Sequence, residues 1–250
     1  MLGSGIAKQD GSLLLNVGTG SQVSMRSQTP VKNERLATFC FPEAGYSVLG
    51  AGLSGGAAVR WIRDLLREGF EQLEGDAEDN VGYGPLCDLA ETVPPGAAGL
   101  LFLPLLSGAR HAPASSGSFT GLRSHHRLGH IVRAVLEGVI WELKMFALGF
   151  PERTSPPSAL VGAGGGLANP LWARIAASIF GGSLGRSACS QQAALGAALL
   201  AAVGLGDYSS LEEGASHVPM DQEKILPVWT EAYAELVPRV ESFFNRAFEV

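Results

Sequence analysis

The chain has 250 residues, of which 46% are hydrophobic, and a formal net charge of −6 at pH 7. This length and apolar content allow a sizeable core in one large domain or two small ones. The acidic balance argues against a nucleic-acid partner, because nucleic-acid binders present a basic surface to phosphates.

Three further features concern location and redox chemistry. The N-terminal residues lack the basic-then-apolar pattern of a secretory signal, so we expect a cytoplasmic protein. Residues 193–205 are apolar but too few to cross a bilayer, which predicts a buried helix rich in small residues and no membrane partner. Cys40, Cys87 and Cys189 are odd in number and widely spaced, which predicts small buried thiols rather than a disulfide or metal framework.

The chain opens with residues that predict several antiparallel strands before any long helix. The apolar residues 12–16 lead into the turn Gly18-Thr19-Gly20, and an alternating segment follows as the second arm of a hairpin. The predicted strands are 12–16, 22–25, 38–41 and 47–53.

The middle of the chain predicts helices around one buried strand. Apolar residues recur at helical spacing most clearly over 127–148. An acidic loop carrying a short helix is expected over 74–96, and residues 106–126 are expected to be irregular. The other predicted elements are helices 56–70 and 83–90 and a strand at 99–105.

The last third begins after a helix break at residues 151–157. Gly181 and Gly182 are expected to end a helix that starts at Pro170. The predicted order is strand 159–162, helix 170–180, edge strand 183–186, helix 191–203, surface loop 209–224 and a final amphipathic helix 227–247. This alternation after a hairpin start predicts one α/β domain.

Two glycine turns are candidate binding elements. The backbone N–H groups of Gly18, Thr19 and Gly20 could hold phosphate oxygens, although this short motif taken alone favours an ordinary hairpin turn. The turn 162–169 lies between a predicted strand and helix, where open α/β folds bind nucleotides. Its glycines could let the backbone pass flat against an adenine or ribose. Asn169 precedes Pro170, so it is either a helix N-cap or a ligand contact.

The remaining polar residues favour structural roles. His111, His125, His126 and His130 lie near one another but lack the spacing and partners of a metal site. Arg133 and Glu137 are four apart on the long helix and predict a supporting ion pair, while the spacing of Arg60, Arg63 and Arg67 alone predicts a solvated face. No nucleophile or general base is evident, so no catalytic residue is assigned.

Taken together, these motifs carry a resemblance to a known family. The segment GSFTGL at 117–122, continuing through HIVRAVLE at 130–137, resembles the second signature of the FGGY carbohydrate kinases. The glycine turns before and after it stand in the same order, so the resemblance to the C-terminal domain covers nearly all of residues 1–250. The segment NVGTGSQ at 16–22 looks closest to sedoheptulokinase-like members, with a xylulokinase-like subgroup as the alternative. The resemblance implies a ribonuclease H-like, actin-like ATPase fold: α/β, with a mixed sheet and flanking helices.

The resemblance also implies an activity and a site. Such enzymes transfer the γ-phosphoryl group of ATP, with Mg²⁺, to a sugar hydroxyl. The positions matching the family's nucleotide contacts are Gly18, Thr19 and Gly20 at the phosphates, Gly56 and Arg60 along the site, and Gly164, Gly165 and Asn169 at the adenosine part.

This sequence departs from the family at several positions. By this resemblance the family's aspartate base would fall upstream of Met1, and we expect the chain to lack the family's N-terminal sugar-binding domain. Ala109 stands where many relatives have glutamate, and Gln191 and Gln192 where an acidic residue is common. We therefore expect the nucleotide half of an active site, inactive towards a sugar without its N-terminal half. The alternatives are a non-catalytic ATP-binding regulatory or assembly protein, or a fragment that folds poorly; a homodimer is left open.

Overall fold

The computed structural model describes residues 1–8, 10–74, 82–151 and 157–247, with the side chains of residues 70–74 excepted. The first part of the chain forms two hairpins, as the alternation of polar and apolar residues predicted. Their strands are β1 (Leu13–Val17), β2 (Ser21–Ser27), β3 (Leu36–Cys40) and β4 (Tyr46–Gly52).

The middle of the chain contains a short additional strand that the sequence did not reveal. Residues 106–126 were expected to be irregular throughout, but three of them pair with the preceding strand, Leu101 opposite Thr120. A three-residue strand shows too little periodicity to be recognised. The elements here are α1 (Gly56–Glu74), α2 (Tyr83–Glu91), β5 (Leu101–Leu103), β6 (Ser118–Thr120) and α3 (Leu128–Leu148).

The last part alternates strands and helices and ends in helices alone. Its first helix starts at Pro170 and is closed by Gly181 in the left-handed conformation, φ 72°, as predicted. The elements are β7 (Leu160–Ala163), α4 (Pro170–Phe180), β8 (Leu184–Arg186), α5 (Gln192–Leu205), α6 (Leu211–Ser216), α7 (Thr230–Ala234) and α8 (Val237–Arg246).

Within the described residues, six strands form one mixed sheet in the order β3-β4-β2-β1-β7-β8. β1 pairs antiparallel with β2 and parallel with β7, so that Leu13 lies between Met25 and Leu160. β7 and β8 are also parallel, whereas the β2–β4 and β3–β4 pairs are antiparallel. This arrangement brings the β1–β2 turn and the turn after β7 to the same edge of the sheet.

α3 is the centre of the hydrophobic core. Val132, Val139 and Leu143 share one stripe and are fully buried, and Trp141 is 2% exposed. The helix packs against β2 and β4 on the sheet and against α1, α2 and α4. Burial on nearly all sides explains why it was the clearest helix in the sequence.

Two predictions for the C-terminal third were wrong. The surface loop 209–224 contains α6, which starts where the Ser210 hydroxyl accepts the Glu213 N–H at 3.1 Å. The single helix 227–247 is divided into α7 and α8 because Pro238, near the start of α8, has no N–H to continue the preceding helix.

Two burial predictions also failed. Cys40 is exposed, because β3 is the edge strand of the sheet, and Cys189 is half-buried, whereas Cys87 is buried as expected. α5 was expected to be buried, but among its residues Leu199 alone is buried, since the helix packs on one side against residues 2–4 and α6. Its composition is apolar all round and gave no indication of which face would be covered.

No helix within the described ranges combines the length and apolar character needed to span a membrane. The predicted loop over 74–96 and the helix break at 151–157 fall partly on residues 75–81 and 152–156, which lie outside the described residues.

Candidate functional site

The turn between β1 and β2 is fixed against the start of α1. The Gly18 N–H donates to the Gly20 carbonyl at 2.9 Å, and the Gly56 and Ala57 N–H groups donate to the carbonyls of Gly18 and Thr19 at 2.7 and 3.0 Å. A Cβ atom at Gly56 would lie 2.8 Å from the Gly18 carbonyl oxygen, so a side chain there would separate helix from turn. The turn and the helix N terminus therefore form one rigid unit.

The three glycines after β7 have different structural roles. Gly164 adopts φ 84°, and a Cβ atom there would lie 2.5 Å from Asn16 Oδ1 on β1. Gly166 lies against Val17 and Trp172, where a Cβ atom would also be too close. The Cβ position of Gly165 has no neighbouring atom within 4 Å, so its Cα faces open space.

These two turns and α1 line one cavity of about 420 Å³. Its volume lies in the range of small-molecule sites in proteins. Of the predicted site residues, the cavity is lined by Gly18, Thr19, Gly56, Arg60, Gly165 and Asn169.

Gly20 and Gly164 do not line this cavity but lie in the turns that border it. The Gly20 carbonyl accepts the Gly18 N–H, and a Cβ atom at Gly20 would lie 2.9 Å from the Gly52 carbonyl oxygen. Gly164 rests on β1 and lines a neighbouring cavity next to β8. Both glycines allow close packing that holds the turns in place.

Asn169 is the N-cap of α4 and also lies at the cavity. Its Oδ1 accepts the Trp172 N–H at 3.1 Å and caps α4, and its side chain also lines the cavity. The Asn169 side chain also lies next to the Cys87 thiol. Burial raises the pKa of the Cys87 thiol, and the Asn169 hydrogen bond opposes part of that rise.

Sequence reasoning missed the apolar walls of the cavity. Trp172 is held by a hydrogen bond from its Nε1 to the Leu136 carbonyl at 2.9 Å, which links α4 to α3. The Arg63 guanidinium lies 4.8 Å from the centre of the Tyr83 ring, between α1 and α2. Tyr83 and Cys87 stand four apart on α2, but nothing in the sequence places that helix opposite α4. The missed lining residues are Val59, Tyr83, Cys87, Leu136 and Trp172, whereas Gly166, which also lines the cavity, belongs to the predicted glycine turn.

The charge of the cavity suits an anionic ligand better than a metal ion. Arg60 is the one charged side chain among its described lining residues, and none of them is acidic. Among the described residues, no three His, Cys, Asp or Glu side chains form a group that could hold a metal.

The histidines near α3 have local structural roles. His130 Nδ1 accepts the Arg127 N–H at 3.1 Å and caps the start of α3. This agrees with the local role that the sequence predicted for His130. His126 Nδ1 accepts the Arg123 N–H at 2.8 Å. These bonds fix the segment that leads into the helix.

The cavity lies in a mixed α/β domain and is bordered by a hairpin turn, a helix N terminus and a glycine turn. This arrangement is typical of domains that bind phosphorylated ligands. Residues 13–205 match the sequence model of the FGGY family of carbohydrate kinases, C-terminal domain. The chain belongs to this family, which confirms the resemblance seen in its motifs.

Relatives in sequence include two kinds of kinase. A gluconokinase of Bacillus licheniformis is 33% identical over 215 residues, which are 82% of this chain and 41% of the relative. A xylulose kinase of Lactococcus lactis subsp. lactis is 31% identical over 211 residues, which are 77% of this chain and 40% of the relative. The chain thus spans less than half the length of these relatives. The sedoheptulokinase-like assignment stays a prediction.

Solved structures of the same family share the fold. A gluconate kinase from Lactobacillus acidophilus superposes with a TM-score of 0.85 at 27% identity, over 99% of this chain and 50% of that one. A xylulose kinase from Rhodospirillum rubrum gives a TM-score of 0.82 at 28% identity, over 98% and 49%. The actin-like ATPase fold expected from the sequence is confirmed.

Proposed function

We propose that this chain is the nucleotide-binding half of a carbohydrate kinase. It holds ATP in the 420 Å³ cavity and directs the γ-phosphoryl group towards a hydroxyl of a sugar that a second half binds. The observation that carries this proposal is the convergence of Thr19, Gly56 and Gly165, which lie far apart in the sequence, on one cavity.

The phosphates are expected at the end of the cavity formed by the β1–β2 turn. The donors there are the Thr19 backbone N–H and hydroxyl, because the Gly18 N–H already donates to the Gly20 carbonyl. The N–H groups at the start of α1 hold the turn in place through its carbonyls, and the Arg60 guanidinium adds a positive charge. Donors fixed before binding stabilise the charge that develops during phosphoryl transfer.

The nucleoside is expected between Gly165 and the apolar walls. Trp172 and Leu136 are held together by the Nε1 hydrogen bond, so this wall is rigid. Above Gly165 no side chain occupies the space that a flat ring needs. The amide of Asn169 is the polar group placed beside it.

Mg²⁺ is expected to arrive with the ATP phosphates, where it neutralises their charge, because the described lining residues offer it no carboxylate. Without a carboxylate, the described lining residues also include no candidate for the general base. We infer that the complementary half supplies the base and most sugar contacts, and that this chain alone phosphorylates no sugar. We further place the protein in the cytoplasm, without a nucleic-acid or membrane partner.

Nucleotide binding is tested by calorimetry with Mg·ATP at pH 7. Gly165→Trp should abolish binding, since the new ring has room to fill the cavity without disturbing the fold. Gly204→Trp is the matched control, because Gly204 also has open space at its Cβ position but lies on α5 outside the cavity. Equal affinity in Gly165→Trp and the wild type would refute the site.

Catalysis is tested by adding a separately produced N-terminal half of a family member. The chain alone should release no ADP with gluconate or xylulose, and the mixture should release ADP with one of them. ATP binding without restored phosphorylation would instead indicate a non-catalytic ATP-binding protein.

A further inference from the structure

Glu142 is a buried carboxyl group for which the proposed phosphoryl transfer has no use. It lies on the sheet-facing side of α3 and is 4% exposed. Its Oε2 lies 3.4 Å from the hydroxyl of Ser21, a long hydrogen bond in which the hydroxyl donates. Ser21 is the first residue of β2 and directly follows the Gly18-Thr19-Gly20 turn.

The same carboxyl group lies beneath the second segment that borders the cavity. Ser21 pairs with Gly52, the last residue of β4, and a Cβ atom at Gly52 would overlap Glu142 Oε2. Gly52 is followed by the short segment that leads into α1, whose Gly56 N–H holds the turn carbonyl of Gly18. Glu142 therefore supports the bases of both loops that meet at the proposed phosphate end.

Among the described residues, Ser21 is the one hydrogen-bond partner of the Glu142 side chain. The charged groups on the surrounding elements contact other residues. Arg26 on β2 lies over Phe41, and on α3 Arg133 bonds Glu137 while Lys144 lies over Phe180. On α1, Arg63 pairs with Asp64 and Arg60 is exposed, and the titratable residue of β4 is Tyr46. Without a cation beside it, burial raises the pKa of Glu142 to about 8, and the Ser21 hydrogen bond opposes part of that rise.

We propose that Glu142 is a positioning residue that couples one proton to nucleotide binding through Ser21 and the two loops. The inference rests on the proposed function and extends it to regulation of the same site. When neutral, the carboxyl supports the loops without adding charge behind the phosphates. When ionised, it places an uncompensated negative charge behind the loop that must hold a polyphosphate, and binding weakens.

The direction of the pH effect follows from linkage. A bound polyphosphate disfavours the carboxylate, so the pKa of Glu142 is higher in the complex than in the free protein. Affinity then falls as pH rises between the two pKa values, by at most about tenfold per pH unit, and binding takes up a proton.

The test compares the wild type with Glu142→Gln, which keeps the shape and a hydrogen bond to Ser21 but cannot ionise. Mg·ADP dissociation constants are measured from pH 7 to pH 9. The ratio of the wild-type constant to the variant constant should rise by about tenfold over this range. Ionisation of the nucleotide and of Cys87 affects both proteins and cancels in the ratio.

Proton uptake gives a second readout that a purely structural role would not change. At pH 8, calorimetry in buffers of different ionisation enthalpy should show uptake by the wild type and less by Glu142→Gln. A constant affinity ratio with equal proton uptake would overturn the coupling alone. Failure of both proteins to bind nucleotide at pH 7 would overturn the proposed function, and the coupling with it.

Discussion

Arg133 Nε donates to Glu137 Oε1 at 2.6 Å, one turn apart on α3 and shielded from solvent on all sides. The pair is completed by a distant residue: Tyr233 donates from its hydroxyl to Glu137 Oε1 at 2.7 Å and accepts from Arg133 at 2.9 Å. The Gly96 N–H also donates to Glu137, at 3.0 Å. The supporting pair predicted from the sequence is therefore the buried link between α3 and α7.

Removing the charge of Glu137 should strongly destabilise the protein. Glu137→Gln leaves the Arg133 guanidinium buried without its anion, and we expect the free energy of unfolding to fall by about 3–5 kcal/mol. Tyr233→Phe removes one hydroxyl from the network and should cost about 1–3 kcal/mol. Urea denaturation measures both. Glu212→Gln, which breaks the exposed ion pair with Lys8, is the control and should leave the midpoint unchanged. A loss below about 1 kcal/mol for Glu137→Gln would contradict a strongly coupled pair.

Two substitutions at Asn169 should separate its capping role from its role in the cavity. Asn169→Asp keeps an oxygen to accept the Trp172 N–H, so unfolding should be almost unchanged, whereas Asn169→Ala should lose about 1 kcal/mol with the cap. The aspartate also places a negative charge in the cavity and removes the amide nitrogen, so Mg·ATP should bind at least about tenfold more weakly. Calorimetry and urea denaturation are run on both variants. An unchanged affinity in Asn169→Asp would show that Asn169 is a cap alone.

Local patterns were sufficient for much of the fold. The turns at Gly18 and Gly181 and the stripe of α3 depend on neighbours in sequence, and the structure has them where they were predicted. Six of the residues predicted from the glycine turns and the family resemblance line the cavity: Gly18, Thr19, Gly56, Arg60, Gly165 and Asn169.

The remaining features depend on contacts between distant residues. Trp172 meets Leu136 across 36 residues, and Tyr233 meets Arg133 across 100, so no local pattern could indicate either contact. The exposure of α5 was missed for a different reason. A helix that is apolar all round does not show which of its faces the rest of the chain will cover.

The three thiols should differ in reactivity. Cys40 is exposed and should react with iodoacetamide first, whereas Cys87 is buried and its raised pKa leaves less thiolate at pH 7.5. Because Cys87 lines the cavity, saturating Mg·ATP should slow its alkylation further and leave Cys40 unaffected. Peptide mass spectrometry over time measures both rates. Equal protection of Cys40 and Cys87 would indicate a global stabilisation rather than occupancy of the cavity.

Glu142 should also make the stability of the protein depend on pH. Its pKa is raised from 4.5 to about 8 by burial, so the unfolded chain releases this proton at a lower pH than the folded protein does. The contribution of Glu142 is therefore fully present below pH 4.5 and is lost as pH rises towards 8, by about 5 kcal/mol in total. Glu142→Gln lacks this dependence. Its stability relative to the wild type should rise between pH 5 and pH 8, as measured by denaturant titration at each pH; a constant difference would contradict a buried, proton-holding carboxyl.

The close approach of Gly52 and Glu142 can be measured by a double-mutant cycle. Gly52→Ala inserts a methyl group where Glu142 Oε2 lies, and we expect a loss of about 1–3 kcal/mol in the wild-type background. In a Glu142→Ala background the carboxyl group is gone and the remaining close neighbour is the Ser21 hydroxyl oxygen, 2.6 Å from that Cβ position, which can rotate away. The same substitution should therefore cost less, because Gly52 has no positive φ that an alanine would strain. The coupling energy from the four urea denaturation curves should then exceed about 1 kcal/mol.

Gly50→Ala is the matched control, since its Cβ atom would meet Phe146 instead and its cost should not change when Glu142 is truncated. Additive losses for Gly52→Ala and Glu142→Ala would mean that the carboxyl group does not occupy the space beneath the end of β4. They would then also contradict the inference that Glu142 supports the two loops.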